Sequence, residues 1–136
     1  MRIERLWDSI DGQNVKRELR NRLDAGDDIP GFGHQLYPDG DIRAKALLAA
    51  ILPECEAAAR FAEAASQLTG AEPSIDFALV ALRRHLDLPE GAAFLIFAVG
   101  RSVGWIAHGL EQRNTNQLIR PRALYTGPRP DHRLQT

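Results

Sequence analysis

Apolar residues recur at intervals of three or four along most of this chain, a period that predicts helices rather than strands. Residues 2–9 and 13–25 are the first two predicted helices. Their apolar positions are Leu6, Trp7 and Ile10 for the first, and Val15, Leu19 and Leu23 for the second. The sequence "AGDD" ends the second helix, and a polar loop follows.

The next two predicted helices lie on either side of Pro53. Residues 42–51 form one, and Pro53 is placed at the first position of the other, which runs to Thr69 and ends at Gly70. The apolar positions of this second helix are mostly small, namely Cys55, Ala58, Ala59, Ala62, Ala65 and Leu68. Such a face allows another helix to approach closely.

The last two predicted helices differ in how apolar they are. Ser74 is placed as the N-cap of a helix with Ile75, Leu79, Leu82 and Leu86 on one face, and "LPEG" ends it. The last helix, residues 91–113, is apolar on nearly all sides as far as Gly100 and therefore needs surroundings on all sides. The few short helices of this chain hardly cover it. We therefore expect self-association, or packing against protein that this sequence does not contain.

No alternation typical of a strand extends over a useful length, so the predicted fold class is all-α. Segment 92–109 is apolar enough to raise the question of a membrane span. Arg101 lies near its middle, at a cost of roughly 2.5–3.5 kcal/mol for insertion. Three glycines and His108 weaken a span further, so we expect a buried helix of a globular protein and no membrane partner.

Composition limits the classes of function. The formal net charge of −1 provides no general basic surface for nucleic acid. Cys55 is the only cysteine, which excludes an intrachain disulfide and favours a reducing, cytoplasmic location. The sequence "MRIERLWDSIDG" has no apolar core of a signal peptide.

The segment "IPGFGHQLYPDGDIRA", residues 29–44, is too rich in glycine and proline for a regular helix. Glycines on both sides of Phe32 allow the backbone to approach a ligand and expose its amide groups. His34 then either donates to a carbonyl or acts as an acid, or it only caps a turn. A metal site made of His34, Asp39 and Asp41 is weakly supported, because no metal-binding spacing is present.

Several charged residues elsewhere have both a structural and a functional interpretation. Arg43 begins a helix, where a positive charge is unfavourable, and therefore either binds a specific anion or is merely exposed. Asp76 is in a first helical turn, where an acid is favoured for structural reasons alone. Arg101 requires either a structural salt bridge or a bound anion if it is buried. Arg120 and Arg122 in "RPR" either bind a second anion or are surface charges.

Five blocks in order make a more specific pattern than any of these residues. They are "PGFGH", "YPDGDIRA", "IDFALVAL", "FAVGRSVGWIAHGLEQ" and "LIRPRALYTG". Together they resemble the C-terminal part of citrate synthase over about residues 26–128. The "YPDGD" block is similar to bacterial citrate synthase-like proteins.

The resemblance implies a citrate synthase-like all-α fold and a role for each matched residue. His34 matches the histidine that hydrogen-bonds the oxaloacetate carbonyl, and Asp76 the base that deprotonates the acetyl-CoA methyl group. Carboxylate-binding arginines of the family match Arg43, Arg101 and Arg120, the last acting in the other subunit of a dimer. The loop that lines the CoA adenine site matches Ile29, Pro30, Gly31, Phe32 and Gly33. The resemblance implies no metal and no tightly bound cofactor, with acetyl-CoA and CoA as substrate and product.

The sequence departs from the family in two ways. The family D-P-R is here Asp41-Ile42-Arg43, which lacks the proline restriction on φ. Family chains are also about three times longer and carry further catalytic histidines upstream, whereas the four histidines here are His34, His85, His108 and His132. The resemblance thus assigns residues 1–90 to most of the small domain and residues 91–136 to the C-terminal segment of the large domain.

These implications lead to one main hypothesis of function and two alternatives. The main one is a citrate synthase-type acyltransferase segment, which in the intact enzyme condenses acetyl-CoA or a related acyl-CoA with oxaloacetate and is incomplete by itself. The first alternative is a non-catalytic truncated homologue that binds CoA or a dicarboxylate, or pairs with a full-length relative. The second is a free-standing helical fold with an unrelated role. The expected partners are acyl-CoA, oxaloacetate, and either a second copy or a missing N-terminal portion.

Overall fold

The computed structural model describes residues 1–10 and 12–115, and the regular secondary structure of the described part is helical. Six α-helices follow one another: α1 (Arg2–Ser9), α2 (Val15–Asp24), α3 (Ile42–Ile51), α4 (Glu56–Thr69), α5 (Ile75–His85) and α6 (Ala92–Thr115). Over these residues extended pairing is limited to an isolated bridge between Phe32 and Pro73. The all-α prediction is confirmed.

The described residues fall into two compact units, with the boundary between Ser102 and Val103. The packing discussed below belongs to the unit Met1–Ser102. The predicted division between residues 1–90 and 91–136 concerns domains of a longer protein, and it stays a prediction.

Pro53 does not begin the helix predicted for it. It lies in a short 3-10 turn, Leu52–Glu54, that follows α3 directly, and α4 begins only at Glu56. A proline fits the first turn of either type of helix because the amide it lacks has no partner there. The predicted end of α4 is correct: Gly70 caps it in the left-handed conformation, with φ +68°.

Four aromatic side chains, linked to one another by ring contacts, form a cluster in the core. The ring centroid of Trp7 lies 4.7 Å from that of Phe61 and 5.2 Å from that of Phe77. The ring centroid of Phe32, in the polar loop, lies 5.0 Å from that of Phe77. These rings bring α1, α4, α5 and the loop before α3 together. Burial of this much aromatic surface is a large part of the stabilisation that a small unit has available.

The small apolar positions of α4 face this core as predicted. Ala58 and Ala65 are fully buried, and Cys55 packs against the cluster while partly exposed. α4 packs against α2, and α5 packs against α3 and α1. α5 is therefore held on two sides, which fixes the position of its first turn.

The sequence predicted that α6 is buried, but the structure shows most of its side chains exposed. Ala93 is its only buried residue among those described, whereas Phe94, Leu95 and Val99 are 57%, 63% and 69% exposed. By length and composition alone, α6 also meets the requirements for a helix that crosses a membrane. Arg101 near its middle is costly in lipid and suits a helix surrounded by protein.

Candidate active site

The glycine-rich loop is fastened to the segment that leads into α5. The amide and the hydroxyl of Ser74 both donate to the Gly31 carbonyl, at 2.9 and 3.1 Å, and the Gly33 amide donates to the Glu72 carbonyl at 2.8 Å. Ser74 is the N-cap residue as predicted, but its hydroxyl holds the loop and makes no hydrogen bond to its own helix. These hydrogen bonds therefore attach the loop to the segment that leads into α5.

The structure gives a different reason for the glycines from the predicted approach to a ligand. Gly31 has φ +87°, and a Cβ there would lie 3.1 Å from Ile3 and 3.3 Å from Phe77. Gly33 has φ +75°, and its amide is already bonded to Glu72. The prediction that both flanking glycines expose free amides is wrong at Gly33, because the loop pairs with the chain before α5.

His34 has a defined hydrogen-bonding state. Its Nδ1 accepts from the Leu36 amide at 3.1 Å, so the neutral ring carries its proton on Nε2. The ring lies 4.9 Å from the Tyr37 ring. His34 therefore caps a turn, as one interpretation held, and still offers Nε2–H as a donor.

Arg43 finds its anion two residues earlier in the chain. Its Nε and Nη2 donate to the two carboxylate oxygens of Asp41 at 2.9 and 2.8 Å, and its guanidinium lies over the Tyr37 ring. The hydrogen bond with Asp41, against the effect of burial, raises the pKa of Arg43, and the charges of Asp41, Tyr37 and Asp76 act in the same direction. The Arg43 side chain is still 45% exposed, so part of its donor set faces solvent.

The sequence indicated Asp41 only as a ligand of a weakly supported metal site and did not predict it among the catalytic or substrate-binding residues. It is the N-cap of α3 and is almost completely buried. The Arg43 hydrogen bond, outweighing burial, lowers the pKa of Asp41 strongly, and the amides of Ile75 and Arg43 add to the effect. Both oxygens of Asp41 are engaged by Arg43 and Ile75, so Asp41 is not available as a ligand for the weakly supported site with His34 and Asp39. An acid two residues before an arginine was visible in the sequence, but its contact with Ile75 was not.

Asp76 occupies the first turn of α5 and is partly buried. Within residues 1–10 and 12–115 its carboxylate has neither a hydrogen bond nor an ion pair. A carboxylate at this position is stabilised by the helix dipole while its oxygens stay available. It thus suits both interpretations, a residue favoured at a helix start and a base.

Arg43 and Arg101 line the same groove, of about 260 Å³, together with Ile75, Phe97 and Gly100. Arg101 is exposed, contrary to the expectation of a buried charge, and no described carboxylate pairs with it. The structural salt bridge considered for Arg101 is therefore not found in the described part of the chain. Two guanidinium groups on one groove favour binding of an anion with more than one carboxylate.

A second cavity, of about 610 Å³, is also lined by Phe97. It is lined by Ile29, Pro30, Gly31, Phe32 and Asp76, with Ile3, Phe94 and Phe97 among the other walls. Four of the five residues predicted to bind CoA thus share a cavity with the predicted base. Phe97, which the sequence did not single out, is the wall common to the cavity and the arginine groove.

Some predicted residues are not brought to these cavities. Gly33 and His34 line neither of them. His34 is connected to the groove through Tyr37, which contacts both His34 and Arg43. Arg120 and Arg122 lie outside the described residues, and their assignment stays a prediction.

Comparisons with known proteins agree on one family. A sequence model described as "Citrate synthase, C-terminal domain" matches residues 1–122. Citrate synthase 2 of Bacillus subtilis is 37% identical over 125 residues, 85% of this chain and 34% of that protein. Citrate synthase of Haloferax volcanii is 37% identical over 118 residues, 80% of this chain and 31% of that protein. The chain spans about one third of the length of the curated relatives it matches.

Proposed function

Because the chain belongs to the citrate synthase family, we propose that it supplies the carboxylate-binding arginines and the base of an enzyme that condenses an acyl-CoA with oxaloacetate. The observation that carries this proposal is the pair of neighbouring cavities that share Phe97. One presents two arginines, and the other presents Asp76 beside the loop Ile29–Phe32. A dicarboxylate and a thioester bound in these two places meet at Phe97.

The arginine groove suits oxaloacetate on electrostatic grounds. A keto-acid with two carboxylates needs fixed cations, and the planar guanidinium matches a carboxylate with two hydrogen bonds. Arg43 keeps exposed donors beyond those it gives to Asp41, and Arg101 has none of its donors engaged by a described carboxylate. Arg120 is proposed to complete this set, in another subunit of a dimer.

Asp76 suits removal of a proton from the acyl methyl group. Its carboxylate makes no hydrogen bond or ion pair with a described residue, sits at a helix N-terminus and lines the cavity that it shares with Ile29–Phe32. A positioned base of this kind contributes about 10²–10⁴ to a rate. The new carbon–carbon bond forms between the methyl carbon and the keto carbon, with CoA the other product after hydrolysis of the thioester.

His34 suits stabilisation of the oxygen that becomes negative when the keto carbon is attacked. Its Nδ1 is occupied by the Leu36 amide, which leaves Nε2–H as the donor. One donor aimed at a developing oxyanion is worth about 3–4 kcal/mol. The route through Tyr37 to Arg43 ties the histidine to the arginine groove.

We propose that this chain does not turn over substrate by itself. It matches about a third of the Bacillus subtilis relative and of the Haloferax volcanii relative. The resemblance implies that the family carries further catalytic histidines upstream of the matched part. The exposed apolar residues of α6 support the same proposal, since they provide a surface for the remainder of the enzyme. A cytoplasmic location is part of this proposal too.

Thiol release from acetyl-CoA and oxaloacetate tests the function. Three samples are compared: this chain, the part of Bacillus subtilis citrate synthase 2 outside the matched third, and the two fused in order. Only the fusion is expected to turn over, and Asp76→Ala should reduce its rate by about 10²–10⁴. Asp39→Ala, in the exposed turn before α3, is the matched control and should change little.

Two outcomes contradict the proposal in different ways. A folded fusion that binds oxaloacetate without releasing thiol would favour the non-catalytic binding homologue. Turnover by the 136-residue chain alone, lost in Asp76→Ala, would show that the chain is complete for catalysis.

A further inference from the structure

Asp41 uses both of its carboxylate oxygens completely. Oδ1 accepts from the amide and Nε of Arg43 at 3.0 and 2.9 Å. Oδ2 accepts from Nη2 of Arg43 at 2.8 Å and from the Ile75 amide at 3.0 Å. A carboxylate has about four acceptor positions, and here all four are occupied.

Three of these hydrogen bonds are local, and the fourth joins parts of the chain that are far apart in sequence. The Arg43 amide belongs to the first turn of α3, and the Ile75 amide is the first of α5, 34 residues after Asp41. Both helix N-termini therefore point at one buried anion, and their dipoles stabilise it. The Arg43 guanidinium is held by the same two oxygens.

We propose that Asp41 is a positioning residue that holds Arg43 and the first turn of α5, which carries Asp76, as one unit. Oδ2 is shared between Nη2 of Arg43 and the Ile75 amide, so a change in one hydrogen bond alters the other. When an anion draws Arg43 toward the groove, the Ile75 amide gains a larger share of Oδ2. The part of this inference that concerns a substrate anion rests on the proposed function; the mechanical link between Arg43 and Ile75 does not.

If the role of Asp41 were only structural, a different response of the Ile75 amide would be expected. If Asp41 only caps α3 and anchors α5, the Ile75 amide should not respond to Arg43, because Asp41 itself is unchanged. If Asp41 shares Oδ2 between the two, removing the Arg43 donors must strengthen the Ile75 hydrogen bond. The Ile75 amide is therefore the atom to observe.

The experiment is ¹⁵N-resolved NMR and amide hydrogen exchange on the 136-residue chain. We expect Arg43→Gln and Arg43→Lys to move the Ile75 amide proton downfield and to slow its exchange at least threefold. Lys45→Gln is the matched control, because Lys45 is a nearby cation of α3 whose side chain donates to the Asp39 carbonyl. Ile75 should be unchanged in it.

An Ile75 response no larger in either Arg43 variant than in Lys45→Gln would overturn the proposal. Asp41→Glu adds a second comparison: the substitution keeps the charge but changes the reach, so we expect it to retain the fold and lose the coupled response of Ile75. The Ile75 amide could instead respond fully to the Arg43 substitutions when Asp41→Glu is also present. That result would count against sharing of Oδ2 between Arg43 and Ile75.

Titration with oxaloacetate separates this inference from the proposed function. If oxaloacetate shifts the NMR signals of both Arg43 and the Ile75 amide, the result supports both the coupling and the proposed function. Shifts at Arg43 with Ile75 unmoved overturn the coupling and leave the function standing. If oxaloacetate produces no shift, the proposed function is weakened, and the Arg43 variants still decide the coupling.

Discussion

Asp41 is stabilised as an anion by neighbours that are close to it in the chain and by one that is distant. Arg43 follows it by two residues, and the Ile75 amide comes from the start of α5, 34 residues later. A buried carboxylate with an incomplete set of donors would be costly. Complete pairing instead makes the ionised form part of the fold and links the stability of this region to pH.

We expect Asp41→Asn to lower the free energy of unfolding by about 3 kcal/mol at pH 7, because its amide group would face donors and leave Arg43 unpaired. The pKa of Asp41 is lowered in the folded state by the Arg43 hydrogen bond. Its contribution is therefore complete above the unfolded pKa of about 3.9 and is lost as the pH falls below it. Urea unfolding at several pH values should show the difference between the two proteins constant from pH 7 to about pH 5 and shrinking below about pH 4. A difference that grows on acidification would contradict this assignment.

Gly31 and Gly26 form a matched pair for separating backbone strain from crowding. Their φ angles are +87° and +84°, but a Cβ meets Ile3 and Phe77 only at Gly31. We expect Gly26→Ala to cost about 1 kcal/mol from the left-handed backbone alone. Gly31→Ala should cost about 1–3 kcal/mol more, because Ile3 and Phe77 must shift. If urea unfolding gives the same loss of unfolding free energy for Gly26→Ala and Gly31→Ala, the loop moves away from the core without cost.

At the level of elements, the sequence predicted most helices because their apolar positions follow a local period. Residues 2–9 and 42–51 coincide with α1 and α3, and Gly70 ends α4 where expected. Pro53 was misplaced because the first turns of an α-helix and a 3-10 helix accept proline equally.

The candidate site was predictable only in part, for a related reason. The resemblance predicted Asp76 and Arg43 as site residues, and that assignment stays a prediction. The hydrogen bonds between Asp41 and Ile75 and between Ser74 and Gly31 join positions 34 and 43 residues apart. No local pattern encodes such pairs. The exposure of Arg101 was missed because burial of α6 depends on what surrounds it and cannot be inferred from its own apolar residues.

The same substitution, phenylalanine to alanine, can be compared at a buried position of α4, Phe61, and at an exposed position of α6, Phe94. Phe61 of α4 is fully buried against Trp7 and Phe77, whereas Phe94 of α6 is 57% exposed. We expect Phe61→Ala to lower the free energy of unfolding by about 3–5 kcal/mol, since it leaves a cavity. Phe94→Ala should cost no more than about 0.5 kcal/mol, as at other surface sites. Urea unfolding is measured at concentrations low enough to keep the chain monomeric, and similar losses of unfolding free energy for both variants there would show that other residues of the same chain cover Phe94.

At the scale of the whole molecule, the membership of the family and the exposure of α6 point to the same conclusion. The matched relatives are about three times as long as the matched segment, and α6 presents large apolar side chains that the described residues do not cover. Large contiguous apolar surfaces of soluble proteins are usually sites of association. The chain alone should therefore associate with copies of itself until the remainder of a citrate synthase covers α6.

Leu95 and Leu86 allow this expectation to be tested with a single type of substitution. Both are exposed leucines, at 63% and 54%, but only Leu95 lies on α6 among its other exposed apolar residues. We expect Leu95→Glu to reduce self-association in sedimentation velocity and the binding of an apolar dye, because a charge interrupts the apolar surface. Leu86→Glu, at the end of α5, should leave both unchanged.

In the fusion with the upstream part of the Bacillus subtilis relative, Leu95→Glu should reduce thiol release at least tenfold, because burying an unpaired charge in the interface costs well over about 1.4 kcal/mol. A fusion that carries Leu95→Glu and keeps full activity would show that this side of α6 remains in solvent in the complete enzyme.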